Sequence, residues 1–413
     1  MNKDKKKILY ISYDGMTDSL GQSQVIPYLA GLSAAGYEIT ILSFEKKDVF
    51  QKGHANISAI LKRNDIEWVP LFYTKKPPVL STLWDVWQMM SKANKLHQQK
   101  NFALVHCRSY ISALAGMSMQ RRYGIKFVFD MRGFWADERI DGNIWTLTNP
   151  IYRTIYRFFK NKEKQFLENA DRVITLTHAA KQEIHTWKNI SNNPVPITVI
   201  PCCVDMDKFS SEKVEHSLKI QLKKDLGIKD GDYVLSYLGS LGTWYMLDEM
   251  LDFFKVLLSK KNSAKLLFVT NTPEEEISQA VSKKGIDSTS VIITCSSFDR
   301  VPTYLSLSDS SIFFIKPAYS KKGSSPIKQG ELMSMGIPVV CNSNVGDTEW
   351  IVRKYHSGTV VDALNVQSYE KAADELLSTQ FDKAEIIRGS AEYFALKVGV
   401  GEYLNVYRGL LDR

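Results

Sequence analysis

The 413-residue chain reads as an α/β protein of two parallel-sheet domains in tandem. Three observations carry that reading. Short runs rich in Ile, Val, Leu and Phe alternate with segments of helical length, the βαβ pattern of a parallel sheet covered on both faces. The runs fall into two sets parted by a polar, lysine-rich stretch. A chain of this length is long for one core and comfortable for two.

The first set of strands is expected at Ile8 to Ser12, Ile39 to Phe44, Ile66 to Leu71, Ala103 to His106, Phe127 to Asp130, Val173 to Thr177 and Ile197 to Ile200. The second is expected at Tyr233 to Leu238, Lys265 to Thr270, Val291 to Thr294, Ser311 to Ile315, Pro338 to Cys341 and Thr359 to Val361. Between the sets, Pro201 breaks the last strand of the first, and the polar segment Ser210 to Asp230 leads into the next, which puts the boundary near residues 200 to 209.

Composition excludes several classes. Hydrophobic residues make up 44% and charged residues 24%, ordinary for a globular enzyme, and no apolar run reaches the eighteen or so residues that span a bilayer. The charged start M-N-K-D-K-K-K runs straight into a strand, so a cytoplasmic protein without a leader is expected. The five cysteines show no C-x-x-C and no Cys/His spacing for a metal. Asp205-Met206-Asp207 resembles a D-x-D metal pair but lies in the interdomain segment, and no metal is expected. A net charge of +8 favours an anionic partner without choosing one.

Three loops at strand ends carry candidate chemistry. After the first strand, D-G-M-T-D-S-L-G-Q-S-Q-V opens a helix; Gly15, Ser19, Gly21, Gln22 and Ser23 are candidate contacts, because glycines at such a turn let backbone N–H groups approach an anion. The loop lacks G-x-G-x-x-G and a P-loop lysine, which argues against dinucleotide or ATP fingerprints. The fifth strand ends in D-M-R-G-F-W-A-D-E-R, where Asp130, Arg132 and Glu138 are candidates, while Asp137, Glu138 and Arg139 equally suit structural ion pairs. The fourth strand ends in V-H-C-R-S-Y; His106 reads as core, Arg108 and Ser109 as lying past the sheet edge.

The densest signal is Ser311 to Asp347. A strand runs into a turn with Lys316, Lys321, Lys322, Ser324 and Ser325; a short helix with Lys328 and Glu331 follows, Gly336 stops it, and another strand begins. Cations near a helix start suit a phosphate, and a carboxylate one turn in suits a diol. In an open parallel sheet, ligands bind outside the carboxyl ends of the strands.

This stretch resembles the donor-binding segment of the retaining GT-B glycosyltransferases of family 4. The resemblance extends to the first loop, to I-P-C-C-V-D-M-D-K-F, which is similar to that family's hinge I-P-N-G-V-D-x-x-x-F, and to the terminal stretch Tyr393 to Leu411. It implies a GT-B fold, two Rossmann-like domains facing an interdomain cleft. Residues 1–205 would form the acceptor-side domain, 206–392 the nucleotide-sugar-binding domain, and 393–413 a helix crossing back to the first.

The resemblance also implies roles. Glu331 would hold the ribose hydroxyls of the donor. Lys316, Lys322 and Lys328 would neutralise its diphosphate, with hydrogen bonds from Ser324 and Ser325. Gly239 and Ser240 would form the turn beneath it, and the segment from Phe298 would contact the base. Gly15, Ser19, Gly21, Gln22 and Arg108 would line the cleft, and Asp130, Arg132 and Glu138 would serve catalysis.

Three departures from the family pattern stand out. Arg132 replaces a histidine, Ser240 to Tyr245 lacks the usual Arg/Lys pair, and Gly323 replaces the first glutamate of Glu-x7-Glu. The expected activity is metal-independent transfer of a hexose or N-acetylhexosamine, with retention, from a UDP- or GDP-linked sugar to a glycan or lipid-linked acceptor in surface glycan or polysaccharide synthesis. No separate cofactor and no nucleic acid partner are expected. The competing readings are a catalytically silent relative that binds a glycan or partner, and a nucleotide-sugar epimerase.

Finally, Arg153, Arg157, Lys160 and Lys164 recur at helical spacing beside Tyr152, Tyr156 and Phe159. They form a candidate face for peripheral contact with an anionic membrane.

Overall fold

The computed structural model describes residues 5–74, 76–77, 79–190 and 195–412. It divides into unit 1, Met1–Pro201 with Leu396–Arg413, and unit 2, Cys202–Ala395.

Unit 1 holds β1 (Lys7–Ser12), α1 (Ser19–Gln24), α2 (Ile26–Ala34), β2 (Glu38–Glu45), α3 (Lys47–Arg63), β3 (Ile66–Phe72), α4 (Leu80–Lys100), β4 (Leu104–Arg108), α5 (Ser109–Tyr123), β5 (Lys126–Asp130), α6 (Trp135–Asp141), α7 (Pro150–Asn169), β6 (Arg172–Thr175), α8 (His178–Thr186) and β7 (Ile197–Val199). Its seven strands are parallel in the order β3-β2-β1-β4-β5-β6-β7. The central strands are buried along nearly their whole length, which is why they read as continuous apolar runs rather than alternating ones.

Unit 2 holds α9 (His216–Asp225), β8 (Tyr233–Leu238), α10 (Leu247–Lys260), β9 (Ala264–Val269), α11 (Glu274–Lys283), β10 (Val291–Thr294), α12 (Val301–Leu305), β11 (Ser310–Phe313), α13 (Ile327–Ser334), β12 (Val339–Asn342), α14 (Thr348–Lys354), β13 (Gly358–Val361), α15 (Val366–Ser378) and α16 (Lys383–Tyr393). Its six strands are parallel in the order β10-β9-β8-β11-β12-β13.

Each sheet reverses its winding once, at β1/β4 in unit 1 and at β8/β11 in unit 2. Those two points are where open α/β sheets leave a crevice at their carboxyl ends. They fix where a site can be built in each unit.

The last helix, α17 (Leu396–Leu411), belongs to unit 1 and packs on α2, with Val400 against Gly31. It buries Tyr403 and Tyr407. The Tyr403 hydroxyl donates to Asp130 Oδ2 (3.0 Å), and the Tyr407 hydroxyl lies 2.8 Å from His106 Nδ1. The last turns of the chain therefore complete the polar interior beneath β4 and β5.

Candidate functional site

In unit 2 the switch point is occupied by a buried lysine. Gly239, directly after β8, has φ +97°, a conformation that favours glycine, and a Cβ there would lie 3.6 Å from Lys328 Nζ. Lys328 sits in the first turn of α13 with its Nζ 3.2 Å from the Tyr237 hydroxyl. The ammonium also lies 3.5 Å from the centre of the Tyr245 ring and 4.2 Å from that of Tyr237. Burial pushes the Lys328 pKa well below the usual lysine range, against a weaker opposing pull from Glu331. A phosphate placed here would meet a buried amine set on aromatic faces, and its charge would favour the protonated form that burial disfavours.

One turn further, Glu331 is also buried, and burial pushes its pKa up to about 7 against the lowering influence of Lys328 and Lys208. Beside it on the hinge segment, Lys208 lies over the half-exposed Phe298 ring (3.8 Å to its centre) and pairs with Asp299 at 2.6 Å. Phe209 packs on the same ring at 5.8 Å. The arrangement is a flat aromatic surface, a cation and a carboxylate, suited to a planar base and a diol.

The remaining unit 2 candidates separate. Ser325 Oγ accepts from the Cys202 amide (3.2 Å), and Ser324 is half-buried in the turn before α13. The Ser240 carbonyl accepts from the Tyr237 hydroxyl (3.0 Å), tying the β8 turn to the ring that cradles Lys328. Lys316 and Lys322 are exposed. Lys321, by contrast, is buried with its ammonium 3.5 Å from the centre of the Trp244 ring. Lys321 and Lys328 are therefore buried amines on aromatic rings, whereas Lys316 and Lys322 are exposed, the latter with its amine 5.3 Å from the centre of the Tyr319 ring.

In unit 1 the switch point brings Asp14, Arg108, Asp130 and Arg132 to the carboxyl ends of β1, β4 and β5. Arg108 Nε donates to Asp14 Oδ2 at 3.2 Å, and Arg132 Nη1 lies 3.8 Å from Asp130 Oδ1. Burial works to raise the Asp130 pKa, but Arg132, His106 and Arg108 outweigh it and hold the carboxyl below its ordinary value. Arg132 has φ +56° and Ser109 φ +67°, so both strand ends carry a non-glycine residue in left-handed backbone. Such strain is typically found where a side chain must be aimed. Buried Arg108 Nη1 has no hydrogen-bond partner among the described residues.

Three expectations need correction. Arg108 does not lie past the sheet edge: it is the last residue of β4, paired in register with Ser12 and Asp130, and buried. The first loop turns two of its amides, those of Met16 and Thr17, inward rather than toward an anion. Buried Glu45, at the end of β2, accepts from the amides of Met16 (2.8 Å) and Thr17 (3.2 Å) and from the hydroxyls of Thr17 (2.6 Å) and Ser43 (2.6 Å). Gly15 and Gly21 serve close packing, since a Cβ would lie 2.7 Å from Glu45 Oε2 at the first and 2.2 Å from the Gly15 carbonyl oxygen at the second. Gln22 donates to the Thr17 carbonyl (2.9 Å), and Ser19 is exposed at the start of α1.

The third correction concerns α7. Lys160 turns inward to Asp137 (2.9 Å) and to Glu163, which also receives the Tyr110 hydroxyl, so the expected face of four cations has lost one to the interior. Glu138 is half-buried in the first turn of α6, while its neighbour Asp137 takes the structural role, accepting from Lys160 and from the Tyr156 hydroxyl (2.8 Å).

Sequence reasoning missed Glu45, Tyr237, Tyr245, Tyr403 and Tyr407. Only Glu45, an acidic residue closing an apolar strand, carried a local signal.

Comparisons with known proteins bear on both units. Residues 21–208 match the family model described as Glycosyltransferase Family 4, and residues 219–392 match that for Glycosyl transferases group 1. No curated protein matches the sequence. Among solved structures, a glycosyltransferase from Rickettsia africae superposes with TM-score 0.74 at 15% identity, covering 99% of each chain. Sucrose-phosphate synthase from Thermosynechococcus elongatus gives 0.72 at 14%, covering 99% of this chain and 100% of its own. Anabaena HepE, solved with UDP and glucose, gives 0.68 at 14%, covering 97% and 99%. At these identities the likeness establishes the GT-B fold. With one family model on each unit and that fold throughout, the chain belongs to the family 4 glycosyltransferases of the GT-B class.

Proposed function

We propose that the protein transfers a hexose or N-acetylhexosamine from a UDP- or GDP-linked sugar to an acceptor hydroxyl, with retention of anomeric configuration, in the synthesis of a surface glycan or polysaccharide. The observation that carries this reading is Lys328, a buried amine beside the backbone turn at Gly239, with the buried Glu331 carboxyl one helical turn away.

In this reading the donor diphosphate lies against Lys328 and the start of α13, with Ser324 and Ser325 within the same turn. Glu331 accepts hydrogen bonds from the ribose hydroxyls, and the base rests near Phe298. When the bond between the anomeric carbon and the phosphate oxygen breaks, its electron pair stays on the diphosphate, whose growing charge Lys328 stabilises. The acceptor oxygen bonds to the anomeric carbon on the same face, and its proton passes to the departing diphosphate. The protein's contribution is positioning and electrostatics. In unit 1, Arg132 and Arg108 are the guanidinium groups that could donate to sugar hydroxyls or phosphate oxygens; neither can act as a base at neutral pH.

The roles of Lys316 and Lys322 are reduced to charge at a distance, and Glu138 is retained only as a half-buried carboxylate of α6. The deciding experiment measures UDP and GDP binding by calorimetry, then donor consumption with and without candidate acceptors. Sugar appearing on the acceptor supports transfer. Release of an isomerised sugar without acceptor would indicate an epimerase, and absence of nucleotide binding would indicate a silent relative.

A further inference from the structure

Unit 2 carries a second pocket, of about 340 Å³, that the proposed transfer does not use. Ser308 and Asp309 on its wall directly precede β11, and Ile337 and Pro338 directly precede β12, whereas Gly239 follows β8 of the same parallel sheet. The pocket and the Lys328 site therefore lie at opposite ends of the strands. Open α/β sheets hold their usual ligands at the carboxyl ends, so this pocket at the amino ends is separate from the donor site.

Three basic side chains converge on it: His216 and Lys219 from α9, and Lys383 from the start of α16. Among the described residues none of the three side chains makes a hydrogen bond or a close ion pair, and Lys219 acts on the Asp309 carboxyl only at longer range. The Lys383 stem crosses the end of α13. A Cβ on Gly336, which has φ +70°, would come within 2.2 Å of Lys383 Cγ, so glycine both ends the helix and lets this side chain reach the pocket.

The groups facing these cations are open as well. Ser308 Oγ is buried and has no hydrogen-bond partner among the described residues, in a class of atom that folded proteins seldom leave unmet. Asp309 Oδ2 accepts from the Val234 amide (2.7 Å), while its Oδ1 takes no hydrogen bond among the described residues. The Ser306 hydroxyl donates to the Thr303 carbonyl (2.7 Å), which leaves its lone pairs free to accept. Val214, Leu305 and Ile337 form an apolar wall between the polar groups, and no aromatic ring lines the pocket among the described residues.

We propose that this pocket binds a phosphorylated sugar, its phosphate between Lys219, Lys383 and His216 and its hydroxyls on Asp309, Ser306 and Ser308. Two lysines and a histidine against one carboxylate select an anion. The open acceptors select a ligand that also carries hydroxyls, which a bare phosphate ion at neutral pH offers poorly. A volume at the lower end of the roughly 300–1,000 Å³ of ligand pockets fits one phosphorylated ring, and without a ring to stack a base the lining does not suit a nucleotide. The inference goes beyond the proposed transfer reaction and stands without it.

The test is calorimetry of the full chain with glucose 6-phosphate and mannose 6-phosphate as probes and with inorganic phosphate and glucose as controls. At least one sugar phosphate is expected to bind at one site per chain, about tenfold or more tightly than either control. Lys219→Gln with Lys383→Gln should lower that affinity by about thirtyfold or more, and Ser308→Ala by about three- to tenfold. Lys219 is half-buried and Lys383 exposed, so folding is expected to survive, and a Tm within a few degrees of the parent checks that it has.

Location is read separately in Lys328→Met, which should bind the probe as the parent does, because Lys328 lies at the other end of the sheet. Loss of binding in that variant would put the probe in the donor site and overturn the proposal. So would no binding of either sugar phosphate, inorganic phosphate binding as tightly as both, or unchanged affinity in the lysine variant. Unchanged affinity in Ser308→Ala would also overturn it, since the lysines would then attract the anion only as surface charge. None of these readouts depends on nucleotide binding, so this proposal and the transfer reading fail separately.

Discussion

The Lys328 ammonium lies 3.5 Å from the centre of the Tyr245 ring, so the cation at the end of β8 is held by an aromatic face and not by a carboxylate. Burial favours its neutral form, and an arriving diphosphate reverses that preference. Lys328→Met should therefore weaken UDP or GDP binding while raising thermal stability, because folding no longer has to strip this amine of the proton it carries in the unfolded chain. A gain of about 1 kcal/mol would appear as roughly 2–4 °C in Tm for a unit of this size. A variant that binds nucleotide as tightly as the parent would take Lys328 out of the site.

The same pair predicts a proton signature. Nucleotide binding should draw a proton onto Lys328 and drive one off Glu331, whose carboxyl must ionise to accept ribose hydroxyls. The two partly cancel in the parent protein. In Glu331→Gln only the uptake remains, and in Lys328→Met only the release, each at most about one proton per chain. Calorimetry in buffers of different ionisation enthalpy reads the sign directly.

Glu331 also sets a pH dependence of stability in the free protein. In the unfolded chain its carboxyl ionises near the ordinary 4.5, and in the fold at about 7. Between those values the folded state keeps a proton that the unfolded state has lost, so this residue's contribution falls as pH rises through the window and levels off above it. Relative to the parent, Glu331→Gln should gain up to about 3 kcal/mol between pH 4 and pH 8. Denaturant titrations showing a constant difference across that range would place the Glu331 carboxyl in a solvated setting.

The fold was legible because its strands are buried on both faces, and a buried parallel strand announces itself as an apolar run whatever its neighbours. Strand ends were less legible. Arg108 reads as a loop residue because it is charged, yet sheet pairing on both sides carries β4 through it. Lys160 reads as part of a basic face because spacing assigns it a direction on the helix but says nothing of Asp137 and Glu163 waiting there. Tyr403 and Tyr407 were illegible as site residues, since their partners Asp130 and His106 lie some 270 and 300 positions away in sequence. Likewise, loop glycines look alike whether they approach a phosphate or, as Gly15 does, the protein's own carboxylate.

Glu45 supplies a test of that last point. Its carboxylate accepts four hydrogen bonds, two from backbone amides of the first loop. Glu45→Gln keeps the shape but turns an NH2 group toward donors. Hydrogen bonds to a charged group contribute about 1.5–3 kcal/mol each, and an unmet buried donor costs a similar amount. The variant should lose about 2–4 kcal/mol of stability, with faster amide exchange at Met16 and Thr17. Unchanged exchange would show that the loop holds its shape without the carboxylate.

Arg132 is the residue on which the proposed chemistry in unit 1 most depends. It occupies left-handed backbone at the end of β5, and its guanidinium faces Asp130, whose other oxygen is bonded to Tyr403. Arg132→Lys preserves both the backbone demand, which is the same for any side chain, and the positive charge. What it removes is the planar fork that lets one group hold Asp130 and still donate to a sugar hydroxyl or phosphate oxygen. Turnover should therefore fall by at least tenfold, while nucleotide affinity, set in unit 2, stays within about twofold and Tm within a few degrees. Tyr403→Phe, which loosens Asp130 without touching Arg132, should lower turnover by less. If the lysine variant turns over at the parent rate, the guanidinium serves only to balance the charge of Asp130, and the donor to the sugar must be sought at Arg108.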